Sequence, residues 1–180
     1  MASHTRVSFS GSEQKIDVID QHYRNLKLSV NLYFSSANPQ AELLFVGKSE
    51  TELVEQLNDV SDENERLIAL NILSALEAAF RIDYLQRCYK REKDNLSVAF
   101  REIHQQKGNK ASLEDDIFDS WKEHGHVPDQ VISDLKSAFK YRHWLAHGRY
   151  WTPKLGRRYD YFSVFSLGQL VINSFPLKGQ

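Results

Sequence analysis

The sequence has few of the features that mark secreted, disulfide-bonded or membrane proteins. Its 180 residues include one cysteine, Cys88, which excludes an internal disulfide and a cysteine-based zinc site. A single cysteine is also typical of a reducing compartment. No stretch approaches the roughly 20 apolar residues of a membrane-spanning helix, and the polar segment 1–11 lacks the apolar core of a signal peptide. We therefore expect a cytoplasmic protein that has no membrane partner.

Charge is nearly balanced over the whole chain but unevenly distributed along it. The formal net charge is −1. Residues 136–158, here called the basic segment, include seven basic residues and no acidic residue. Residues 50–65, here called the acidic segment, include seven acidic residues and no lysine or arginine. This separation predicts a polarised field that steers an anionic partner toward one end of the molecule.

Periodic apolar residues and turn signals predict an all-α protein, a helical bundle of about five to six helices. We expect a loose tail over residues 1–13 and a single domain over residues 14–180. The central helix is predicted over 62–90, because its apolar residues cover most of its circumference, and Ser61 is its predicted N-terminal cap. The other helices are predicted over 14–34, 51–57, 94–106, 112–121, 128–147 and 161–175, the last being a helix or a strand followed by a helix.

The helix predicted over 128–147 carries an arginine where an apolar residue is expected. At 100° per residue, Arg142 falls on the apolar face that includes Phe139. An arginine is almost never buried without a partner, so this face meets a carboxylate, or it opens onto a cleft or a subunit interface. Glu77 on the central helix is the carboxylate that we expect. Arg81, one turn later, is an alternative partner for Glu77.

Two histidines lie together on the flank of the same helix. His143 and His147 are four residues apart and lie beside Lys140. On an ideal helix, Arg142 and His147 point about 140° apart. They converge on one ligand only if the helix is distorted near its end, for example by a π-bulge, or if the two side chains come from different subunits.

The stretch Arg142–His147 places an arginine five residues before a histidine. This spacing matches the R-x4–6-H signature of HEPN (higher eukaryote and prokaryote nucleotide-binding) domains, which the chain resembles. The stretch Glu77–Arg81 is similar to the E-x3-K/R pattern on an earlier helix of many such domains. The resemblance covers roughly residues 62–175 and the all-α order, and it implies a HEPN-like fold.

The resemblance to HEPN domains implies a metal-independent endoribonuclease that needs no cofactor. His147 would act as acid and base, and Arg142 would hold the phosphate while the RNA 2′-OH attacks it to leave a 2′,3′-cyclic phosphate. It also implies a homodimer in which two motifs face one cleft, and a toxin or anti-phage protein with an antitoxin or regulatory partner. The motif differs from adenylylated toxins, because Tyr150 stands three residues after the histidine and Arg149 stands two after it. His143, frequently Asn in relatives, is an extra proton donor or a polar substitute.

The basic segment is interleaved with aromatic residues, which favours single-stranded RNA as a partner. Phosphate contacts and base stacking are expected from Lys140, Arg149, Tyr150, Arg157 and Arg158, with Arg81 from the central helix. The other aromatic residues of this region are Tyr141, Trp144, Trp151, Tyr159 and Tyr161. The alternative is that most of these rings belong to the core, above all Trp144 and Tyr161.

Several simpler interpretations of these residues stay open. Arg142 and His147 are alternatively a buried ion pair and a histidine that stabilises a helix end, and Glu77 with Arg81 is alternatively an intrahelical salt bridge. His143 and His147 have a metal-ligand spacing, but no third ligand accompanies them, so we expect no metal. The alternative functions are a non-catalytic HEPN-like module that binds nucleotide, RNA or a protein, and a helical adaptor that uses the acidic segment.

Overall fold

The computed structural model describes residues 6–179, and in this range the chain is entirely helical, with no β-strand. This confirms the predicted all-α bundle. The seven α-helices are α1 Ile16–Tyr33, α2 Ala41–Leu44, α3 Glu50–Lys90, α4 Asn95–Lys107, α5 Asp119–His124, α6 Asp129–Ala146 and α7 Tyr161–Ser174. A 3₁₀ turn, Gly108–Lys110, follows α4, and a π-helical turn, Leu113–Phe118, precedes α5.

The predicted tail over 1–13 lies partly outside the described residues. From residue 6 onward it has no helix before α1, but it contacts the bundle. Arg6 Nη2 donates a hydrogen bond to the carbonyl oxygen of Tyr89 at 3.0 Å. The amide of Val7 donates to the hydroxyl of Tyr89 at 2.9 Å. Residues 6 and 7 are therefore held against the end of α3.

The central helix is one continuous helix of 41 residues, not the two helices that were predicted. Its N-terminal cap is Ser49, in a capping box with Glu52. The predicted cap, Ser61, lies inside the helix, where its hydroxyl donates to the carbonyl oxygen of Leu57 at 2.7 Å. The prediction was wrong because a serine ends or begins a helix only where the backbone is free to turn. Residues 50–90 contain no glycine and no proline.

The core surrounds the C-terminal half of α3. Ile72, Leu73, Leu76 and Phe80 are fully buried, and α1, α4, α6 and α7 all contact this helix. Gly168 lets α7 pack closely against α1 and α3, because a Cβ there would lie 2.9 Å from Ile16 Cδ1 and 3.3 Å from Ile72 Cγ2. A helix that is buried on all sides fixes the position of any polar side chain that it carries.

Residues 24–67 extend beyond this core and are here called the arm. The arm comprises the second half of α1, all of α2 and the first half of α3, and none of its residues is buried. Large apolar side chains are exposed along it, among them Leu28, Leu43 and Val46. At its tip the rings of Phe34 and Phe45 stack with centroids 5.5 Å apart. One long helix thus runs from an exposed arm into the core.

A buried ion pair that sequence analysis did not predict joins α3 to the C-terminal segment. Arg87 Nε donates to Asp83 Oδ1 at 2.8 Å, and both side chains are almost wholly buried. Arg87 also donates to the carbonyl oxygen of Pro176, and the amide of Lys178 donates to Asp83. Burial raises the pKa of Asp83 although Arg87 opposes the shift. The Arg87–Asp83 pair therefore holds residues 176–178, which follow α7, against α3.

The structure contains no candidate for a transmembrane helix. Across residues 6–179, no helix is both long enough and apolar enough to cross a bilayer.

Candidate active site

The predicted ion pair between α6 and α3 is present. Arg142 Nη2 lies 3.1 Å from Glu77 Oε2, and Arg81 Nε donates to Glu77 Oε1 at 2.9 Å. Arg81 also donates to the carbonyl oxygen of Ala111 at 3.3 Å. The two partners proposed for Glu77 therefore bind it at the same time, one on each carboxylate oxygen. Two guanidinium groups thus share the single negative charge of Glu77.

The C-terminal end of α6 is regular, so the helix distortion that would let Arg142 and His147 of one chain converge on one ligand is absent. The amide of His147 donates to the carbonyl oxygen of His143 at 3.1 Å, as in an α-helix. Gly148 then adopts a positive φ of 76°, and the amide of Arg149 donates to the carbonyl oxygen of Trp144 at 3.2 Å. This is the 6→1 bond of a Schellman motif, in which Gly148 is the left-handed residue that follows the helix.

A π-helical turn does occur, but on the neighbouring element Leu113–Phe118. The amide of Ile117 donates to the carbonyl oxygen of Ser112, five residues earlier, at 3.1 Å. The hydroxyl of Ser112 accepts from the amide of Asp115 at 3.1 Å, as in a capping box. The reciprocal bond comes from Asp116, whose Oδ2 accepts from the Ser112 amide at 2.7 Å. Asp116 Oδ1 also lies 2.6 Å from Lys107 Nζ of α4, whereas Glu114 and Asp115 line a cavity beside α6.

A cavity of about 340 Å³ lies between α3, α6 and this turn. Arg142 and His143 line it from α6, and Glu77 lines it from α3. The remaining lining residues are Ser112, Leu113, Glu114, Asp115 and Phe139. The structure therefore brings Arg142 together with His143, whereas His147 is not among the residues that line this cavity.

His143 connects Arg142 to His147. The imidazole rings of His143 and His147 have centroids 4.2 Å apart, at an interplanar angle of 51°. His143 also lies near the ring of Trp151, with centroids 5.9 Å apart. Trp144 Nε1 donates to the carbonyl oxygen of Trp151 at 2.7 Å, which holds the loop after α6 in place. Both imidazoles are exposed at this end of the helix.

The ion pair with Glu77 leaves part of the Arg142 guanidinium available to bind another group. Its side chain is 31% exposed, and its buried Nε has no hydrogen-bond partner among the described residues. The carboxylates of Glu114 and Asp115 line the opposite side of the cavity and oppose the binding of an anion from that side. An anion therefore reaches Arg142 more favourably from the side of His143 and His147.

The acidic and basic segments are in contact, which corrects the predicted polarised field. Arg149, of the basic segment, donates two hydrogen bonds to Glu63, of the acidic segment, at 2.6 and 3.0 Å. The hydrogen bonds from Arg149 lower the pKa of Glu63. Arg157 lies 3.5 Å from Asp134, and Lys136 lies 2.7 Å from Asp119. Much of the basic segment is thus neutralised by carboxylates on other elements.

The remaining residues proposed for RNA binding differ in exposure. Lys140 and Arg158 are exposed, and neither forms an ion pair in the part of the chain that the structure describes. The ring of Tyr150 is 84% exposed. Arg81 and Arg149 are each held by a carboxylate, and Arg157 also lies over the ring of Tyr159 at 4.9 Å.

Most aromatic residues of the basic segment and its flank belong to the core. Tyr141, Tyr159 and Tyr161 are buried, and burial raises the pKa of Tyr141. Trp144 is partly buried against the core. The core interpretation is therefore correct for these four rings, and only Tyr150 and the half-buried Trp151 remain to stack on bases.

Sequence analysis missed the acidic wall of the cavity. The polar residues of this wall are Ser112, Glu114 and Asp115, and the spacing of Ser112 and Asp115, which suits a helix N-terminus, is the one sequence signal near them. Among residues 6–179, no group of three or more histidine, cysteine, aspartate or glutamate side chains is arranged to hold a metal ion.

A comparison with protein-family models, with curated proteins and with solved structures finds no match for this chain. The resemblance to HEPN domains rests only on the motif Arg142–His147 and on the Glu77–Arg81 stretch. These two stretches are joined in space by the ion pair between Arg142 and Glu77.

Proposed function

We propose that this protein is a metal-independent endoribonuclease of the HEPN type. The observation that carries the proposal is the position of Arg142, which is held by Glu77 and lines a cavity with His143, whose imidazole packs against that of His147. A permanent cation beside two groups that exchange protons near neutral pH is suited to chemistry on a phosphodiester. In this account Arg142, His143, His147 and Glu77 form the active site.

The reaction is an internal transfer within the RNA strand. An imidazole, assigned to His147, removes the proton of the 2′-OH, and the 2′ oxygen forms a bond to the adjacent phosphorus. The bond from phosphorus to the 5′ oxygen breaks, and the leaving oxygen takes a proton from an imidazolium. The products are a 2′,3′-cyclic phosphate and a 5′-hydroxyl. Arg142 stabilises the charge that develops on the phosphoryl oxygens.

Two histidines side by side supply the two proton transfers that this reaction needs. His143 lies between Arg142 and His147, because it lines the cavity with the arginine and packs against the second imidazole. Glu77 orients Arg142 without neutralising the site, since Arg81 shares the same carboxylate. Lys140, Tyr150 and Arg158 are the exposed groups that would contact the RNA on either side.

A homodimer is part of the proposal. Because α6 is regular to its end, Arg142 and His147 of one chain point in different directions. A second copy in a two-fold arrangement would bring His147 of the partner subunit toward Arg142 and would do the same for the other site. A cytoplasmic toxin or anti-phage role, under the control of an antitoxin or other regulatory partner, also belongs to this proposal.

The test is cleavage of single-stranded RNA by the wild-type, Arg142→Ala and His147→Ala proteins, with chelator present. Matched controls are Arg24→Ala and His22→Ala, which remove the same residue types from exposed positions on α1. We expect cleavage by the wild type and both controls, loss of at least about 100-fold in the two site variants, and a 2′,3′-cyclic phosphate on the product. Equal cleavage by all five proteins would rule the proposal out.

A non-catalytic RNA-binding module is the second candidate, because the exposed Lys140 and Arg158 lie outside the cavity lining and can bind RNA without a reaction at Arg142. Glu114 and Asp115 face the same space as Arg142 and weaken the field on a phosphate. This candidate predicts salt-dependent RNA binding without cleavage. The adaptor alternative predicts that replacing Lys140 and Arg158 changes neither RNA binding nor cleavage.

A further inference from the structure

A second cavity, of about 240 Å³, lies at the far end of α3 and is lined mainly by cations. It is here called the arginine cavity. Its lining residues are Arg6, Cys88, Tyr89, Arg91, Arg101, His104 and Gln105, and no carboxylate is among them. Tyr89 is 12 residues after Glu77, which corresponds to about 18 Å along a helix. The arginine cavity is therefore separate from the candidate active site.

Three different elements supply the three arginines. Arg6 comes from the segment before α1, where its guanidinium lies 4.8 Å from the ring centroid of Tyr89. Arg91 ends α3 in a left-handed conformation, with φ of 53°. Arg101 comes from α4, and its Nη1 donates a hydrogen bond to the carbonyl oxygen of Glu92. The convergence is thus a property of the tertiary structure and not of one basic stretch.

Among residues 6–179, these arginines differ from most of the others because they form no ion pair with a carboxylate. Seven arginines form ion pairs, namely Arg24, Arg66, Arg81, Arg87, Arg142, Arg149 and Arg157. Within residues 6–179, Arg6, Arg91, Arg101 and Arg158 form none. Three of these four unpaired arginines line the same cavity. Like charges placed together repel one another, and an anion in the cavity would relieve that repulsion.

The remaining lining groups do not oppose an anion. Burial raises the pKa of Cys88 to about 12, so the thiol stays uncharged at neutral pH. The hydroxyl of Tyr89 accepts a hydrogen bond from the Val7 amide, which keeps the segment that carries Arg6 over the cavity. The cavity is thus cationic and is held in shape by hydrogen bonds.

We propose that the arginine cavity binds a phosphate group, either as free phosphate or as the terminal phosphate of an oligonucleotide. Guanidinium groups present pairs of N–H donors that match two phosphate oxygens. A volume of about 240 Å³ is below the roughly 300–1,000 Å³ of pockets that enclose a drug-sized ligand. The cavity therefore fits a phosphate group but not a whole nucleotide, and the rest of a larger ligand would remain outside.

The test is calorimetric titration of the full-length protein with three probes. The probes are inorganic phosphate and a DNA oligonucleotide with either a 5′-phosphate or a 5′-hydroxyl, because DNA lacks the 2′-OH and cannot be cleaved by the proposed reaction. The test variant is the double substitution Arg6→Gln and Arg91→Gln. The matched control is Lys93→Gln, which removes one exposed cation two residues from Arg91 and outside the lining. Circular dichroism verifies that each variant is folded.

We expect phosphate, the 5′-phosphorylated oligonucleotide or both to bind the wild type and the control, with a dissociation constant raised by about tenfold or more in the double variant. Binding of both identifies free phosphate as sufficient, and binding of the phosphorylated oligonucleotide alone identifies a strand end. Binding of both oligonucleotides with equal affinity, equal binding of the phosphate probes by wild type and double variant, or absence of binding by phosphate and by the phosphorylated strand would overturn the proposal. None of these results depends on RNA cleavage.

Discussion

Arg149 and Glu63 form a two-hydrogen-bond ion pair that joins the loop after α6 to the first half of α3. The two residues are 86 positions apart in the chain. Their contact connects the basic segment to the exposed arm and fixes the backbone that follows His147. The orientation of the loop beside the candidate active site therefore depends on a residue of the acidic segment.

The Arg149–Glu63 pair predicts a pH-dependent stability difference between the wild type and Glu63→Gln. Hydrogen bonds from Arg149 make the pKa of Glu63 lower in the folded chain than in the unfolded chain. The pair therefore stabilises the fold above the ordinary glutamate pKa, and this contribution disappears as the pH falls through the lowered value. Urea denaturation should show the wild type as slightly more stable at pH 7, with the difference reduced at pH 3. If the difference in unfolding free energy between the wild type and Glu63→Gln grows as the pH falls, the lowered pKa of Glu63 is contradicted.

Glu77 should matter for stability as well as for activity. Glu77→Gln leaves Arg142 and Arg81 without their shared carboxylate, and we expect a loss of about 1–2 kcal/mol in the free energy of unfolding. The matched control is Glu55→Gln, which changes an exposed glutamate of the same helix and should have almost no effect. Denaturant titration of both variants measures the difference. If Glu77→Gln is as stable as the control, the ion pair does not hold Arg142 in place.

Hydrogen exchange should divide α3 into two parts although it is one helix. Residues 54–67 belong to the arm, which has no buried residue, whereas the helix from Ile68 to Cys88 is packed into the core. Backbone amides in the arm should exchange by local opening, and amides in the core half should require much larger unfolding. Hydrogen exchange followed by mass spectrometry should show fast exchange before Leu67 and slow exchange after it. Uniform protection along α3 would show that the arm is covered in solution, for instance by another copy.

Cys88 should react slowly with thiol reagents in the native protein. The side chain is 8% exposed, and burial raises its pKa to about 12, so only about 10⁻⁴ of the thiol is ionised at pH 8. The same thiol should react at an ordinary rate in denaturant. A native rate equal to the denatured rate would contradict the burial of Cys88.

The pairing of Arg142 with Glu77 could be predicted from the sequence because it follows from the pattern of apolar residues on two helices. An arginine on an apolar helix face needs a carboxylate, and Glu77 interrupts the apolar surface of the central helix. The boundary at Ser61 was wrong because capping residues also occur within helices, where only a glycine or proline forces a break. The Arg149–Glu63 pair was beyond prediction, since it depends on how α3 and α6 pack. For the same reason, the three arginines of the second cavity are scattered in the sequence and adjacent only in the fold.

The central claim is that Arg142 and His147 of two subunits act together on RNA, and mixing two inactive variants tests it most directly. Arg142→Ala and His147→Ala proteins are unfolded together, refolded, and assayed for RNA cleavage beside each variant alone. A mixed dimer contains one site with both residues intact, so random pairing should restore about one quarter of the wild-type rate. If each variant alone cleaves RNA as fast as the wild type, or if the mixture stays as inactive as its components, the account of a shared active site is contradicted.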